Sequence, residues 1–327
     1  MKSTLDVLNA FETIRRAQRA GRYAPHKPLL ILLALGRVQR GEPRLVEYAA
    51  IDEALKLLLA EFGPSSASSS RHYPFWHLAT DSNGALWDLS GPREILSRPP
   101  AATPTLGELR SQHVKGGFAI QVDDALRHSP GLLEAVASRA LDAYFPATLH
   151  DDIATAVGLD LSAPPAVQEV TQGADSFSTS ARRKRDPGFR DRVLLAYEYR
   201  CCVCGFDLRI GHLPAGLEAA HIQWHNVGGP DIEPNGLSLC ALHHKLFDLG
   251  VFTVEPAEHR VVFSRHAISG APDGEGILQF HGRPLRLPQQ ADLNPGAEFL
   301  AWNFGNVFKK PSRQVSPPSL AKPPAAR

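Results

Sequence analysis

The sequence predicts an α+β protein of two domains, and three observations carry that reading. The first half alternates amphipathic helical segments with a few short strand-like runs. Residues 162–187 then change to Pro, Ser, Thr, Gln and Gly with almost no large apolar side chain, a linker composition. The second half compresses all four cysteines and a dense set of histidines into residues 199–254. With 327 residues, each domain is long enough to bury a core of its own.

Composition narrows the function classes. The chain is 43% hydrophobic and 21% charged with a formal net charge of +1, so it is no DNA-coating polycation, and nucleic-acid contacts must come from local patches. The N-terminus carries Asp6 and Glu12 and lacks the apolar core of a signal peptide. The longest apolar run, Leu29 to Leu35, is too short to span a bilayer, so no membrane partner is expected. A soluble cytoplasmic protein follows, in which clustered cysteines are metal ligands rather than disulfides.

In order along the chain, residues 4–20 place Leu5, Leu8, Phe11, Ile14 and Ala17 on one helical stripe. Pro28 suits the first turn of a buried helix running to about Val38. Residues 48–62 form another helix, stopped by Gly63-Pro64, and Ser65 to Ser70 reads as a mobile loop. Residues 71–91 read as two strands about an Asn83-Gly84 turn, with Phe75, Trp76, Leu78, Leu86 and Trp87 buried. A third strand is expected at 116–120, then helices at 122–126, 131–146 and 150–157. The domain limits are 1–160, a linker over 161–186, a second domain over 187–308 and a disordered basic tail from 309 to 327. The linker ends in Arg182-Arg183-Lys184-Arg185, read as a phosphate-gripping patch with a solvated charge run as its plain alternative. The second domain opens with a helix from 187, and strands near 260–264 and 278–280 precede a helix near 296–304.

The chemistry lies in the crowded segment. Cys201 and Cys204 form a C-x-x-C knuckle, and Cys240 with His243 repeats the three-residue offset after about 35 residues. Four such donors in two pairs suit a structural tetrahedral Zn²⁺. Cys202 is left over as a small buried thiol. If 239–249 is a helix, Cys240 and His243 share a face while His244 is rotated about 100° away and aligns with Asp248 at i+4. Upstream, Leu217 to Ile222 reads as a strand ending near His221, and a polar loop holding Asn235 leads to the helix. Strand histidine, loop asparagine and helix histidine form the layout of a ββα-metal nuclease site, in which a base, a divalent cation and an orienting group share the work.

With LEAAHI, NGLSLC and HHKLFD around those residues, roughly 190–305 resembles the HNH endonucleases of the restriction type. The resemblance implies His221 as general base, His244 as ligand of a catalytic Mg²⁺ or Mn²⁺, and Asn235 as an orienting residue. Many HNH enzymes carry a metal-binding Asp just before the base, where this chain has Ala220. The cation then falls to His244 with Asp248 or Glu218. Asp248 ranks higher, because strand alternation points Glu218 away from His221. His212 and His225 read as loop residues.

The segments YAPHKPLLILLALGRV, RHYPFWHL and VKGGFAI resemble the sulfur-binding domain of phosphorothioate-dependent restriction endonucleases, over about residues 5–150. That implies recognition of double-stranded DNA bearing sulfur in place of a non-bridging phosphate oxygen. Tyr73 and Pro74 would form apolar walls with His77 nearby, and His26 and Lys27 would meet the backbone charge. Arg71 and His72 would reach bases or the next phosphate, and Gly116-Gly117 would let main chain approach closely. Two rival readings stay open: an HNH enzyme directed at methylated or otherwise modified bases, and a zinc module that binds DNA without cutting it. A single HNH site also needs a partner copy, as in a homodimer, or a second visit to break both strands.

Overall fold

A computed structural model describes residues 7, 8, 10, 11, 24–64, 67–99, 102–161, 186–271 and 276–314. Helices and small antiparallel sheets make up an α+β fold in two compact units. One comprises Met1–Pro187 with Gln223–Asp231, the other Gly188–Ile222 with Ile232–Arg327. Leu8 of the expected first helix is buried. Leu5, Ile14 and Ala17, the linker from 162 to 185 with its cationic run, and 315–327 lie outside the described residues. Among the described residues, no helix is long and apolar enough to cross a membrane.

The first unit is built around α1 (His26–Gln39), whose residues Pro28 to Leu33, Leu35, Gly36 and Val38 are buried. It starts two residues before Pro28, which still falls in the first turn, where a missing N–H costs no hydrogen bond. Strand β1 (Val46–Glu47) runs into α2 (Tyr48–Phe62), which buries Ile51, Leu55, Leu58, Leu59 and Phe62 at helical spacing. Next come α3 (His72–His77), β2 (Trp87–Ser90), α4 (Arg93–Leu96) and α5 (Leu106–Ser111), the last opened by a capping box of Thr105 and Glu108. Then follow β3 (Lys115–Phe118), α6 (Ile120–His128), α7 (Leu132–Tyr144) and α8 (His150–Val157). Strand β3 is central, pairing antiparallel with β1 and β2. Its glycines are required by that position: a Cβ on Gly116 would lie 2.7 Å from Phe75, and one on Gly117 2.0 Å from the carbonyl oxygen of Arg44.

Two expectations for this unit are corrected. Residues 72–77 are helical, not a strand: Pro74 has no N–H for a sheet ladder but fits a first helical turn. The pattern of Phe75, Trp76, Leu78, Leu86 and Trp87 is nonetheless buried as expected. The Ser-rich loop contains a 3₁₀ turn, Ala67–Ser70, with Ala67 buried. His26 Nε2 lies 2.8 Å from the Ala67 carbonyl and 3.1 Å from Ser70 Oγ, which ties this turn to α1.

The second unit begins with α9 (Phe189–Ala196), then a short hairpin of β4 (Arg209–Ile210) and β5 (Leu213–Pro214). The hairpin of β6 (Leu217–His221) and β7 (Gly236–Cys240) leads into α10 (Ala241–Asp248). After these come β8 (Phe252–Val254), its partner β9 (Val261–Phe263) and α11 (Ala297–Asn306). Val193, Leu194, Leu237, Leu239, Phe247, Phe252, Phe263 and Leu300 are core residues of this unit. The expected strand at 278–280 is instead a 3₁₀ turn, Ile277–Phe280. The expected disordered tail starts too early, because Lys309 and Arg313 donate backbone N–H groups to the carbonyls of Gly250 and Phe263.

Candidate nuclease site and DNA-binding face

In the β6–β7–α10 unit, β6 and β7 pair from Leu217↔Cys240 to His221↔Gly236. Side chains alternate along β6, so the strand offers its ends to different neighbours. The His221 ring stacks on Phe189 of α9, centroids 4.2 Å apart and planes 17° from parallel. Glu218, on the other face, meets α10, with Oε2 2.5 Å from His244 Nδ1. Nε2 of the same imidazole lies 3.2 Å from Asp248 Oδ2. Burial opposes the His244 imidazolium, but Asp248 and Glu218 outweigh it and push its pKa up to about 10. The same contact pulls Glu218 below the ordinary carboxylate value. Asn235 is fully buried in the 3₁₀ turn just before β7, and its carbonyl accepts the N–H of Ile222 at 2.9 Å, fastening the chain just beyond His221. His212 is exposed beside the β4–β5 turn, and His225 sits in a 3₁₀ turn, 3.7 Å from Asp231.

The thiols of Cys201, Cys204 and Cys240 and a ring nitrogen of His243 all lie within 4.8 Å of one another. Nδ1 is the nitrogen that faces the sulfurs, 3.2 Å from Cys240 Sγ and 3.6 Å from Cys201 Sγ. Phe252 and Phe280 meet the ring edge-on, and its Nε2 is buried without a partner among the described residues. Cys240 is the last residue of β7 and the N-cap of α10, so the pair with His243 spans a strand–helix junction rather than one helix face. Contacts with Cys204 and Cys240 pull the Cys201 thiol down, while Cys201 and Cys240 push that of Cys204 up. Close-packed thiols resist ionising together unless a cation binds them, and this Cys₃His donor set fits tetrahedral zinc. Cys202 is fully buried, which pushes its thiol pKa up, and it does not join the set.

In the first unit, α3 carries a short stack of rings. Tyr73 lies 4.5 Å from His72 and 6.0 Å from His77 between centroids, the latter pair 3° from parallel. Tyr73 is 46% exposed, whereas Pro74 is buried. Burial lowers the pKa of His26, His72 and His77, with Arg71 adding to the effect at His72 and Lys27 at His77. Nδ1 of His72 is buried without a partner among the described residues. The expected cations are anchored: Lys27 Nζ lies 2.5 Å from buried Asp81, and Arg71 Nε 2.6 Å from buried Asp52. Arg110 and the Tyr48 hydroxyl also donate to Asp52. His77 Nε2 lies 2.9 Å from Thr103 Oγ1.

Comparison with known proteins follows the same division. Residues 4–162 match the family model of the ScoMcrA-like DNA sulfur-binding domain, and residues 201–255 match that of the HNH endonucleases. The chain joins a sulfur-binding domain to an HNH domain. Similar solved structures include the sulfur-binding domain of ScoMcrA complexed with phosphorothioated DNA, 26% identical over 46% of this chain and 94% of that one, with a TM-score of 0.40. The corresponding SprMcrA complex is 25% identical over 48% and 95%, with a TM-score of 0.39. The type IV phosphorothioation-dependent restriction endonuclease ScoMcrA is 24% identical over 49% of this chain but only 29% of its own length, with a TM-score of 0.39. No curated protein matches the chain.

The fold gathers His243 with the three cysteines and sets His244 beside Asp248, and it gives several other predicted residues different neighbours. In the sulfur-binding domain, the close approach of Gly116 and Gly117 is to Phe75, Trp87 and Arg44, so packing accounts for the pair. Pro74 is buried and so does not line the exposed surface of the ring stack. Sequence reasoning missed Asp52, Asp81 and Arg110, whose partners lie 19 to 58 residues away. In the HNH domain it missed Phe189 and underrated Glu218. Alternation does turn Glu218 away from His221, but the face it turns toward is that of His244.

Proposed function

We propose that the protein recognises double-stranded DNA carrying a backbone phosphorothioate through its N-terminal domain and cuts phosphodiester bonds nearby with its HNH domain. The succession of these two domain types in one chain carries the reading. On the recognition side, the exposed Tyr73 and the neutral imidazoles of His72 and His77 offer a polarizable surface with hydrogen-bond donors and no unpaired charge. Sulfur is less strongly hydrated than oxygen, so such a surface favours it. Lys27, Arg71 and His26 steady the flanking backbone, where the charge of the duplex adds sequence-independent affinity.

On the catalytic side, His221 accepts the proton of the attacking water, and Phe189 holds its ring. Asn235 fixes the hairpin end at Ile222, which keeps His221 in place. His244 and its carboxylate partners offer nitrogen and oxygen donors that suit a hard divalent cation. Mg²⁺ or Mn²⁺ bound there supplies positive charge for the scissile phosphate and the leaving oxygen. Zinc on Cys201, Cys204, Cys240 and His243 is structural. The protein works in the cytoplasm as a restriction enzyme, and two copies meeting on one duplex cut both strands.

The test is digestion of matched plasmids with and without backbone sulfur, in Mg²⁺ or Mn²⁺, by wild type and His221→Ala. Cleavage confined to the sulfur-bearing plasmid and lost in the variant is expected. Equal cutting of both plasmids overturns the sulfur reading, and cutting no greater than that of His221→Ala overturns the nuclease reading.

A further inference from the structure

We infer that Glu218, not Asp248, shares the catalytic cation with His244, and that Asp248 is a positioning residue for the imidazole. The inference rests on the nuclease reading above and settles which side of His244 faces the reaction.

Each nitrogen of His244 has its own carboxylate: Nδ1 meets Glu218 and Nε2 meets Asp248. An imidazole gives a cation one nitrogen, and the other nitrogen normally donates its N–H to a group that fixes the ring. One carboxylate therefore stands beside the metal and the other behind the ring. Accessibility separates them. A cation that meets a DNA phosphate must be reachable from solvent, and the Glu218 side chain is 44% exposed while that of Asp248 is 2% exposed.

Mobility points the same way. Neighbouring ligand atoms around Mg²⁺ sit about 3 Å apart, given metal–oxygen distances near ~2.1 Å at right angles. The 2.5 Å contact between Glu218 and Nδ1 must open slightly to admit the ion. A half-exposed glutamate on a strand edge can withdraw by that amount. Buried Asp248, one turn along the same helix as His244, has no such freedom. It is placed instead to accept the Nε2 proton, which leaves the Nδ1 lone pair aimed at the Glu218 side. Ala220, which shares the face of Glu218 on β6, is fully buried and brings no donor of its own.

The experiment is Mn²⁺ titration of the full chain by calorimetry, with zinc content checked in every sample, for wild type, Glu218→Gln, Glu218→Asp and Asp248→Asn. Wild-type binding and cleavage test the nuclease reading; the ranking of the variants tests this assignment. Expected is an affinity loss of about tenfold or more in Glu218→Gln, partial recovery in Glu218→Asp, and a smaller loss in Asp248→Asn, whose amide oxygen still accepts the Nε2 proton. Imidazole nitrogen shifts in the Mg²⁺-saturated protein should show His244 with its proton on Nε2 and none on Nδ1 in wild type, and that form depleted in Asp248→Ala. An equal or larger Mn²⁺ loss in Asp248→Asn than in Glu218→Gln overturns the assignment, as does a proton on Nδ1 of His244 in the Mg²⁺-saturated wild type.

Discussion

The ring of Phe189 lies flat on the imidazole of His221, 4.2 Å between centroids. The contact joins α9 to the last residue of β6 and fixes the plane of the imidazole. A general base contributes about 10²- to 10⁴-fold, and a displacement of about 1 Å can forfeit 10²-fold. Phe189→Ala should therefore slow cleavage of sulfur-bearing DNA by about 10- to 100-fold, with oligonucleotide binding unchanged, and Phe189→Tyr should restore most of the rate. Wild-type cutting by Phe189→Ala would show that the stack is not what holds the base.

Zinc should be decisive for the HNH domain. Structural zinc binding is worth about 10–16 kcal/mol in small zinc domains, comparable to the whole stability of a domain at about 5–15 kcal/mol. Cys204→Ser should lose the bound zinc and the cooperative unfolding transition of the nuclease domain, while the sulfur-binding domain keeps its own. Zinc analysis together with scanning calorimetry reads both. A variant that lacks zinc yet keeps both transitions would make the Cys₃His set dispensable for folding.

The glycine pair of β3 should matter for stability before it matters for DNA. A Cβ at position 117 meets backbone, the Arg44 carbonyl, so something must move. Gly117→Ala should cost about 1–3 kcal/mol as overpacking does, lowering the melting temperature by several degrees. An unchanged melting temperature combined with lost binding of phosphorothioated DNA would return the pair to the ligand interface.

Asp52 should make the first domain acid-sensitive. Burial alone would raise its pKa, but hydrogen bonds from Arg71, Tyr48 and Arg110 outweigh burial and hold it below the ordinary 3.8. A carboxyl depressed in the folded state contributes stability that is present above 3.8 and is lost as pH falls through the lower folded value. Urea unfolding should accordingly show wild type losing stability below about pH 4, with a flatter slope in Asp52→Asn over that window. At neutral pH the same variant should be weaker by about 3–5 kcal/mol, since it breaks a buried ion pair. Parallel pH curves for the two proteins would remove Asp52 from the acid response.

Much of this molecule is written in local pattern. The apolar run of α1, the span of α2 and the strand of β6 follow from side-chain periodicity, which is a property of neighbours in sequence. The Cys201, Cys204, Cys240 and His243 set follows from ligand spacing, because only metal chemistry calls for those donors in two close pairs. His221, Asn235 and His244 were likewise legible as a strand, loop and helix sequence. Residues 72–77 were misread because a short apolar run with a proline suits a strand edge or a first helical turn equally well, and burial against the rest of the domain decides between them. Tertiary structure alone placed Phe189 over His221 and gave the two nitrogens of His244 different carboxylates. It likewise tied Lys27 and Arg71 to buried acids 54 and 19 residues away. Periodicity specifies which face of an element is apolar, whereas these pairings depend on which elements the chain folds against each other.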